Sequence, residues 1–225
     1  MPDPAPRRSV VGQALGVGVA TGAYGISFGA ISTASGLSVL QTCLLSLLVF
    51  TGATQFAFVG VVAAGGNPLT GAAAATLLGS RNLFYGLSVA PLLRVRGLRR
   101  LAAAHLVIDE STAVAVAQDD PVEARRGFWW TGLSVFVLWN LMTLAGAVAG
   151  TRIGDPRTYG LDAAVGAAFL GLLWPRLSSP GARVVALVGA AAATGVLPLV
   201  PAGVPIIVGG AVAVLFGLAL PRRTA

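Results

Sequence analysis

The feature that most constrains this fold is an apolar run that carries one arginine near its middle. The run extends from Pro68 to Leu93 and is long enough to cross the hydrocarbon core of a bilayer. Its charged residue, Arg81, is costly at that depth unless it meets an anion, a polar cavity or backbone carbonyls inside the protein. A partner for Arg81 is therefore expected among the few other polar residues of the chain.

The composition predicts an all-α, polytopic membrane protein. Of the 225 residues, 56% are hydrophobic and 10% are charged, whereas a soluble domain carries about a quarter charged residues. The apolar runs are continuous, without the alternation typical of membrane strands. We expect a helix bundle of about 7–8 hydrophobic segments, some broken or re-entrant. It would form one transporter domain over residues 9–220, with cytoplasmic tails at 1–8 and 221–225.

The apolar runs define eight numbered segments. Their bounds are 9–31 for segment one, 37–65 for two, 68–93 for three, 101–118 for four, 127–150 for five, 160–173 for six, 183–199 for seven and 204–220 for eight. The loop DDPVEARR joins segments four and five. In segment one, Gly18, Gly22, Gly25 and Gly29 share one helical face, and small residues at that spacing let two membrane helices pack closely.

The basic residues suggest a topology. Every one of the fifteen is an arginine, and most lie in short connections between apolar runs, as the positive-inside bias requires. If Arg94–Arg100 and Arg125–Arg126 are both cytoplasmic, segment four must return on its own side or consist of two half-helices. The alternative is a simple span that leaves Arg94–Arg100 outside. No basic module with interleaved aromatics indicates a nucleic-acid partner.

Three polar clusters lie at membrane depth, and the first interrupts segment two. The stretch Phe50-Thr51-Gly52-Ala53-Thr54-Gln55-Phe56 places polar residues and a glycine in an apolar run, which predicts a broken helix. A half-helix N-terminus at this point would present N–H groups to an anion such as a carboxylate. The alternative is a glycine kink whose Thr and Gln side chains bond neighbouring helices.

The second cluster is Arg81 and Asn82, with Tyr85 one helical turn after Arg81. The third comprises His105, Asp109 and Glu110 in segment four. In a continuous helix His105 and Asp109 would touch at the i, i+4 spacing, while Glu110 would point away. One carboxylate would pair with Arg81 and the other would titrate, because carboxylates and histidine are the usual parts of membrane proton relays. Arg81 is then either a binding or gating arginine or one half of a structural ion pair. The alternative for segment four is an amphipathic surface helix with its acids in water.

Enzymatic chemistry is not expected. The chain has one histidine and one cysteine, Cys43, too few for the familiar metal sites or for an intrachain disulfide. It also lacks the glycine loop of nucleotide hydrolases. We therefore expect no metal and no cofactor.

Five sequence stretches together resemble the AzlC/BrnF family of branched-chain amino acid exporters, also called azaleucine-resistance permeases. They are GISFGAISTASGLS at 25–38, VFTGATQF at 49–56, SRNLFYGLSVAP at 80–91, HLVIDESTAVA at 105–115 and YGLDAAVGAAF at 159–169. The resemblance runs from about Tyr24 to the C-terminus. Many members have Asn-Leu-Arg-His where this chain has Gly79-Ser80-Arg81-Asn82, so His105 is the only imidazole here.

The resemblance implies export of leucine, isoleucine and valine, with methionine as a further substrate, across the bacterial plasma membrane. It also implies energy from the proton gradient and a small hydrophobic membrane subunit of the AzlD/BrnE type as partner. On this hypothesis the substrate-binding residues are Gly52, Thr54, Gln55, Arg81, Asn82 and Tyr85. The proton-coupling residues are His105, Asp109 and Glu110. The alternatives are a transporter of another small solute and a membrane scaffold that does not transport.

Overall fold

The computed structural model describes residues 9–152, 170 and 173–220, and within them all regular structure is helical. The α-helices are α1 (Val10–Ala23), α2 (Gly25–Ala34), α3 (Val39–Leu48), α4 (Ala53–Ala63), α5 (Pro68–Gly79), α6 (Arg81–Leu93), α7 (Leu98–His105), α8 (Asp109–Val116), α9 (Pro121–Gly150), α10 (Pro180–Val196) and α11 (Val204–Ala219). The all-α prediction is therefore confirmed for these residues. The two predicted tails lie outside them, as does segment six with Asp162, apart from Leu170 and Leu173.

The described residues divide into two compact units. The first unit contains 9–33, 37–52 and 79–152, and the second contains 34–36, 53–78, 170 and 173–220. Both are built from interleaved stretches, so the division does not cut the chain into consecutive domains. The single transporter domain over 9–220 stays a prediction.

Two stretches of the described chain are long and apolar enough to cross a membrane. They are Val10–Ala34, in which α1 and α2 meet at a turn at Tyr24, and Pro121–Gly150. The shorter apolar helices have 10 to 17 residues and are Val39–Leu48, Ala53–Ala63, Pro180–Val196 and Val204–Ala219. Fewer described helices are long enough to cross a membrane than the 7–8 segments predicted, because several of those segments are divided into shorter helices.

The first unit is assembled around α9, which runs for 30 residues. The helix begins at Pro121 because Asp120 accepts hydrogen bonds from the Val122 and Glu123 amides and because proline suits the first helical position. The prediction that the loop DDPVEARR reaches residue 126 is therefore wrong. Only Asp119 and Asp120 lie outside the helix, so α9 starts six residues before the predicted Gly127.

The glycine face of segment one packs directly on α9, as its spacing predicts. A Cβ added at Gly18, Gly22 or Gly29 would overlap Ser134, Leu138 or the Thr143 carbonyl. At Gly25 it would lie 2.6 Å from the carbonyl oxygen of Trp139. We call this contact between segment one and α9 the glycine seam. Glycines of α9 contribute to it as well, since a Cβ at Gly146 would overlap the Ile26 carbonyl and one at Gly150 would meet Thr33. At Gly25, Gly29 and Gly146 the two backbones are therefore in direct contact, whereas Gly18 and Gly22 accommodate the side chains of Ser134 and Leu138.

Segments three and four are each divided, although one continuous stretch was predicted for segment three. A single residue, Ser80, separates α5 from α6, and its carbonyl accepts the Leu83 amide at the tight i−3 spacing. The preceding Gly79 favours the interruption because glycine is a poor helix former. Segment four consists of α7 and α8, joined by the irregular residues 106–108. This is the half-helix pair that the charge distribution offered as one of its solutions.

The two basic connections on either side of α7 and α8 lie at the same end of the first unit. One cavity is lined by Arg96, which precedes α7, by Arg99 in the first turn of α7, and by Arg125 of α9. The chain between them therefore leaves this end of the unit and returns to it. That course agrees with the prediction of a segment that enters and returns on one side.

In the second unit, α10 and α11 also meet through glycines. A Cβ on Gly189 would lie 3.1 Å from the Gly209 carbonyl oxygen, and a Cβ on Gly209 would lie 2.8 Å from that of Gly189. The helices match segments seven and eight to within a few residues.

The seam between segment one and α9 predicts a specific sensitivity to one methyl group. We expect Gly29→Ala to lower the free energy of unfolding by about 1–3 kcal/mol, the usual cost of overpacking, because the new Cβ meets the backbone of Thr143 and Ala147. Gly16→Ala is the matched control on the same segment, since nothing lies within 4 Å of its Cβ position. Thermal unfolding in one detergent measures both, and equal melting temperatures would contradict the packing.

Candidate functional site

The predicted break in segment two is present. Helix α3 ends at Leu48 and α4 begins at Ala53, with residues 49–52 between them. Gly52 adopts φ +59°, a left-handed conformation that favours glycine over any residue with a Cβ. The polar motif thus marks a true helix interruption rather than a kink within one helix.

The predicted ligands around this break fall into both units. Gly52 belongs to the first unit, whereas Thr54 and Gln55 are buried side chains of the second. The hydroxyl oxygens of Thr51 and Thr54 are buried, with no hydrogen-bond partner among the described residues. The assignment of Thr54 and Gln55 to one site with Arg81 stays a prediction.

The break between α7 and α8 is buried and is held by side-chain hydrogen bonds. Leu106, Val107 and Ile108 are all buried. Ser111 donates to the Leu106 carbonyl at 2.6 Å and accepts the Ile108 amide at 3.1 Å. Asn82 of α6 donates to the Val107 carbonyl at 3.1 Å. Irregular backbone at membrane depth requires such partners, because it cannot be satisfied by lipid.

Arg81 meets its anion at the start of α8. Its Nη2 lies 2.6 Å from Oδ2 of Asp109, and the Tyr85 hydroxyl donates to the other carboxylate oxygen at 2.7 Å. Arg81 and Tyr85 share a face of α6, as their i, i+4 spacing predicts. The structural pair between Arg81 and Asp109, one of the alternatives left open by the sequence, is therefore formed here.

Local structure explains why the acidic residues stand where they do. Asp109 and Glu110 occupy the first turn of α8, where the partial positive charge of the helix end stabilises carboxylates. Both side chains are half-buried. The same break that aims the α8 N-terminus at α6 thus places two carboxylates beside the arginine.

The ion pair is neither fully enclosed nor fully satisfied. The side chains of Arg81 and Asp109 are 25% and 20% exposed. Nε of Arg81 and Oδ1 of Asn82 are buried, and neither has a hydrogen-bond partner among the described residues. A donor and an acceptor therefore remain for a further group at this point.

The prediction that His105 touches Asp109 rests on a continuous helix and is wrong. Helix α7 ends at His105 and α8 begins at Asp109, so the i, i+4 relation does not exist. His105 instead packs against Phe50 and Phe136, with ring centroids 6.0 and 5.5 Å away. Phe50 and Phe136 also stack edge to face at 5.1 Å. His105 is therefore part of an aromatic cluster, and its role in proton coupling stays a prediction.

The phenylalanines in and beside the first two polar clusters have different surroundings. Phe50 is buried in the aromatic cluster, Phe56 is buried in the second unit and Phe84 is 68% exposed. The sequence also did not single out Ser111, which fixes the α7–α8 break. The sequence does contain a pattern that could have identified Ser111, because it lies three residues after Ile108, the spacing of a helix-capping interaction.

Comparison with known proteins identifies the family. The sequence model of the family described as AzlC protein matches residues 16–153, which is more than half of the chain. The chain belongs to the AzlC family. All nine predicted site residues, from Gly52 to Glu110, lie within the matched range, whereas α10 and α11 lie beyond it.

Two curated relatives extend this comparison. The chain is 27% identical over 149 residues to the branched-chain amino acid transport protein AzlC of Bacillus subtilis (strain 168), covering 65% of this chain and 58% of that protein. It is 25% identical over 130 residues to an uncharacterized membrane protein of Haemophilus influenzae (strain ATCC 51907 / DSM 11121 / KW20 / Rd), covering 56% of this chain and 53% of that protein. The chain thus spans little more than half the length of these relatives. No solved structure matches it significantly.

The bonds of Ser111 give a first prediction for this AzlC-family site. We expect Ser111→Ala to destabilise the protein by about 1–3 kcal/mol, since it leaves a buried amide and a buried carbonyl without a partner. Ser88→Ala is the control, because the exposed Ser88 hydroxyl donates to the Phe84 carbonyl of its own helix. Thermal unfolding of both variants tests the assignment, and an unaltered Ser111→Ala protein would refute it.

The ion pair gives a second prediction. Removing one partner of a buried pair costs about 3–5 kcal/mol, and partial exposure lowers the expected cost of Arg81→Gln to about 1–3 kcal/mol. Arg81→Gln combined with Asp109→Asn should cost less than the sum of the single changes, because no unpaired charge remains. The control is Arg126→Gln, which breaks a pair with Glu123 whose side chains are 61% and 36% exposed. Additive losses in the double variant would contradict the coupling.

Proposed function

We propose that this chain is the large subunit of a secondary transporter in the bacterial plasma membrane that exports branched-chain amino acids. Membership of the AzlC family and the name of the Bacillus subtilis relative support the substrate class. The apolar helices and the half-helix pairs support a multi-pass membrane location. A small hydrophobic subunit of the AzlD/BrnE type would be its partner.

The observation that carries the proposal is the Arg81–Asp109 pair together with the buried Nε of Arg81, which has no hydrogen-bond partner among the described residues. A branched-chain amino acid is a zwitterion with an apolar side chain. Its carboxylate would bind Arg81, whose Nε and terminal nitrogen form a fork that matches two carboxylate oxygens. Its ammonium group would then occupy the position that Arg81 holds beside Asp109. The substrate would thereby exchange one ion pair for two, and no charge would be left without a partner.

The same exchange provides a route to proton coupling. When the substrate leaves Arg81, Asp109 either returns to the arginine or takes up a proton, because an unpaired carboxylate is costly at this depth. Tyr85 donates to Asp109 and holds the carboxylate in place during the exchange. Glu110, next in the chain and also half-buried, is the second proton carrier. Gly52 and Asn82 of the same unit would complete the substrate site, and His105 would complete the proton path, while Thr54 and Gln55 stay ligands predicted from the sequence.

The alternative is a scaffold whose ion pair only holds helices together. Transport by the purified protein separates the two ideas, since a scaffold complex with the small subunit would be stable yet show no counterflow of any amino acid. Leucine, isoleucine, valine and methionine would be tested beside lysine and glutamate. Counterflow limited to a charged amino acid would point to another solute.

Efflux measurements test the role of Arg81 in transport. Cells that lack the native exporter, express this chain with the small subunit and are loaded with a leucine-containing dipeptide should release leucine. We expect Arg81→Ala to lower the rate at least tenfold, because a hydrogen bond to a charged group contributes about 1.5–3 kcal/mol. Tyr85→Phe, which keeps the ring and the ion pair, should slow efflux less. Arg126→Gln, which breaks an exposed pair, should leave it unchanged.

Two outcomes of this experiment would count against the proposal separately. Normal efflux by a well-folded Arg81→Ala protein would remove Arg81 from the substrate site. Efflux that persists when a protonophore collapses the proton gradient would exclude proton coupling and leave the substrate assignment intact.

A further inference from the structure

A basic cavity lies at the opposite end of α6 from the ion pair. It has a volume of about 730 Å³ and is lined by Arg94, Arg96, Arg99 and Arg125, together with Trp129 and the end of α6 at Leu93. The distance from Arg81 to Leu93 along the helix is about 18 Å at the usual rise per residue. The cavity is therefore separate from the proposed substrate site.

Within the part of the chain that the structure describes, the four arginines of this cavity have no acidic partner. Among the described residues the ion pairs are Arg81–Asp109 and Arg126–Glu123, and no carboxylate lines the cavity. Nε of Arg94 donates to the Pro91 carbonyl and Nε of Arg125 donates to the Pro121 carbonyl. These bonds use the inner nitrogens and leave the terminal nitrogens for an anion. Four like charges around one cavity repel one another, and a bound anion would relieve that repulsion.

The length of α9 places this cavity at the level of lipid headgroups. Thirty residues span about 45 Å, whereas the hydrocarbon core is about 30 Å thick. Because the charged residues of α9 lie in its first turns, the excess length falls at the Pro121 end, outside the hydrocarbon. Trp129 and Trp130 follow at the position expected for an interfacial aromatic belt. The arginines therefore surround a cavity at the depth where phospholipid phosphates lie.

We propose that this cavity binds the phosphate-bearing headgroup of an anionic phospholipid. A guanidinium group can donate two parallel hydrogen bonds to two oxygens of one phosphate. Basic pockets between membrane helices are suited to anionic headgroups. Trp129 would contact the glycerol and the first carbons of the acyl chains, where an indole is most stable. Lipid bound there would join the connection between α6 and α7 to the start of α9.

Lipid-dependent thermal unfolding tests the site. The purified protein in a neutral detergent is titrated with phosphatidylglycerol, with phosphatidylcholine, or with inorganic phosphate at matched ionic strength. We expect phosphatidylglycerol to raise the melting temperature of the native protein, and phosphatidylcholine and inorganic phosphate to leave it unchanged. In the double variant Arg96→Gln, Arg99→Gln the same rise should require roughly 25-fold more lipid, since each basic residue near an anionic surface contributes about fivefold. Arg126→Gln is the matched control, because Arg126 neighbours Arg125 but does not line the cavity.

Several results would overturn the proposal. They are an equal rise with phosphatidylcholine, an unaltered response of the double variant, and an equal loss of response in Arg126→Gln, which would mark a general charge effect. A rise of the same size with inorganic phosphate would assign the cavity to a soluble anion instead. If the double variant does not fold, native mass spectrometry of the unaltered protein in an equimolar lipid mixture decides. Preferential retention of phosphatidylglycerol supports the site, and equal retention of both lipids refutes it.

Discussion

The interaction on which the first unit depends is the contact between Arg81 and Asp109 across two interrupted helices. A lone guanidinium at this position would be too costly to retain. A carboxylate reaches it only because α7 stops and α8 restarts with its acidic first turn directed at α6. The interruption is in turn stable only because Ser111 and Asn82 satisfy the carbonyls that it exposes. Charge pairing and backbone irregularity therefore require each other here.

Much of this arrangement could be predicted from the sequence. Placing a polar or charged group at membrane depth costs free energy, which restricts where such residues can lie. The break at Gly52 and the pairing of Arg81 with an acid of segment four follow from that restriction. The glycine face of segment one follows instead from the helical spacing of its small residues. The partner of His105 could not be predicted, because one interruption of three residues abolishes the helical spacing from which its contact was inferred. The early start of α9 was missed because a charged run resembles a loop until its Asp120-Pro121 cap is recognised.

Asn82 shows how a departure from a family pattern can be read physically. The family resemblance implies histidine at this position, where this chain has asparagine. The side chain still donates a hydrogen bond, and its acceptor is the Val107 carbonyl in the middle of the α7–α8 break. Position 82 therefore supports the neighbouring irregular backbone, whatever else it contributes to a substrate site. The sequence does not predict this role, since Val107 is one of many apolar residues in it.

The glycine seam between segment one and α9 determines which parts of the first unit are able to move. At Gly25, Gly29 and Gly146 the two backbones touch directly, so no side-chain rotamer lies there that could absorb a displacement. A slide by one residue would bring the neighbouring side chains into the carbonyls that now face bare Cα atoms. Segment one and α9 therefore form a rigid frame, and a change of shape in this unit must arise where short helices end, at residues 49–52, at Ser80 and at 106–108. Each of these three helix interruptions contains one of the predicted site residues or directly adjoins one.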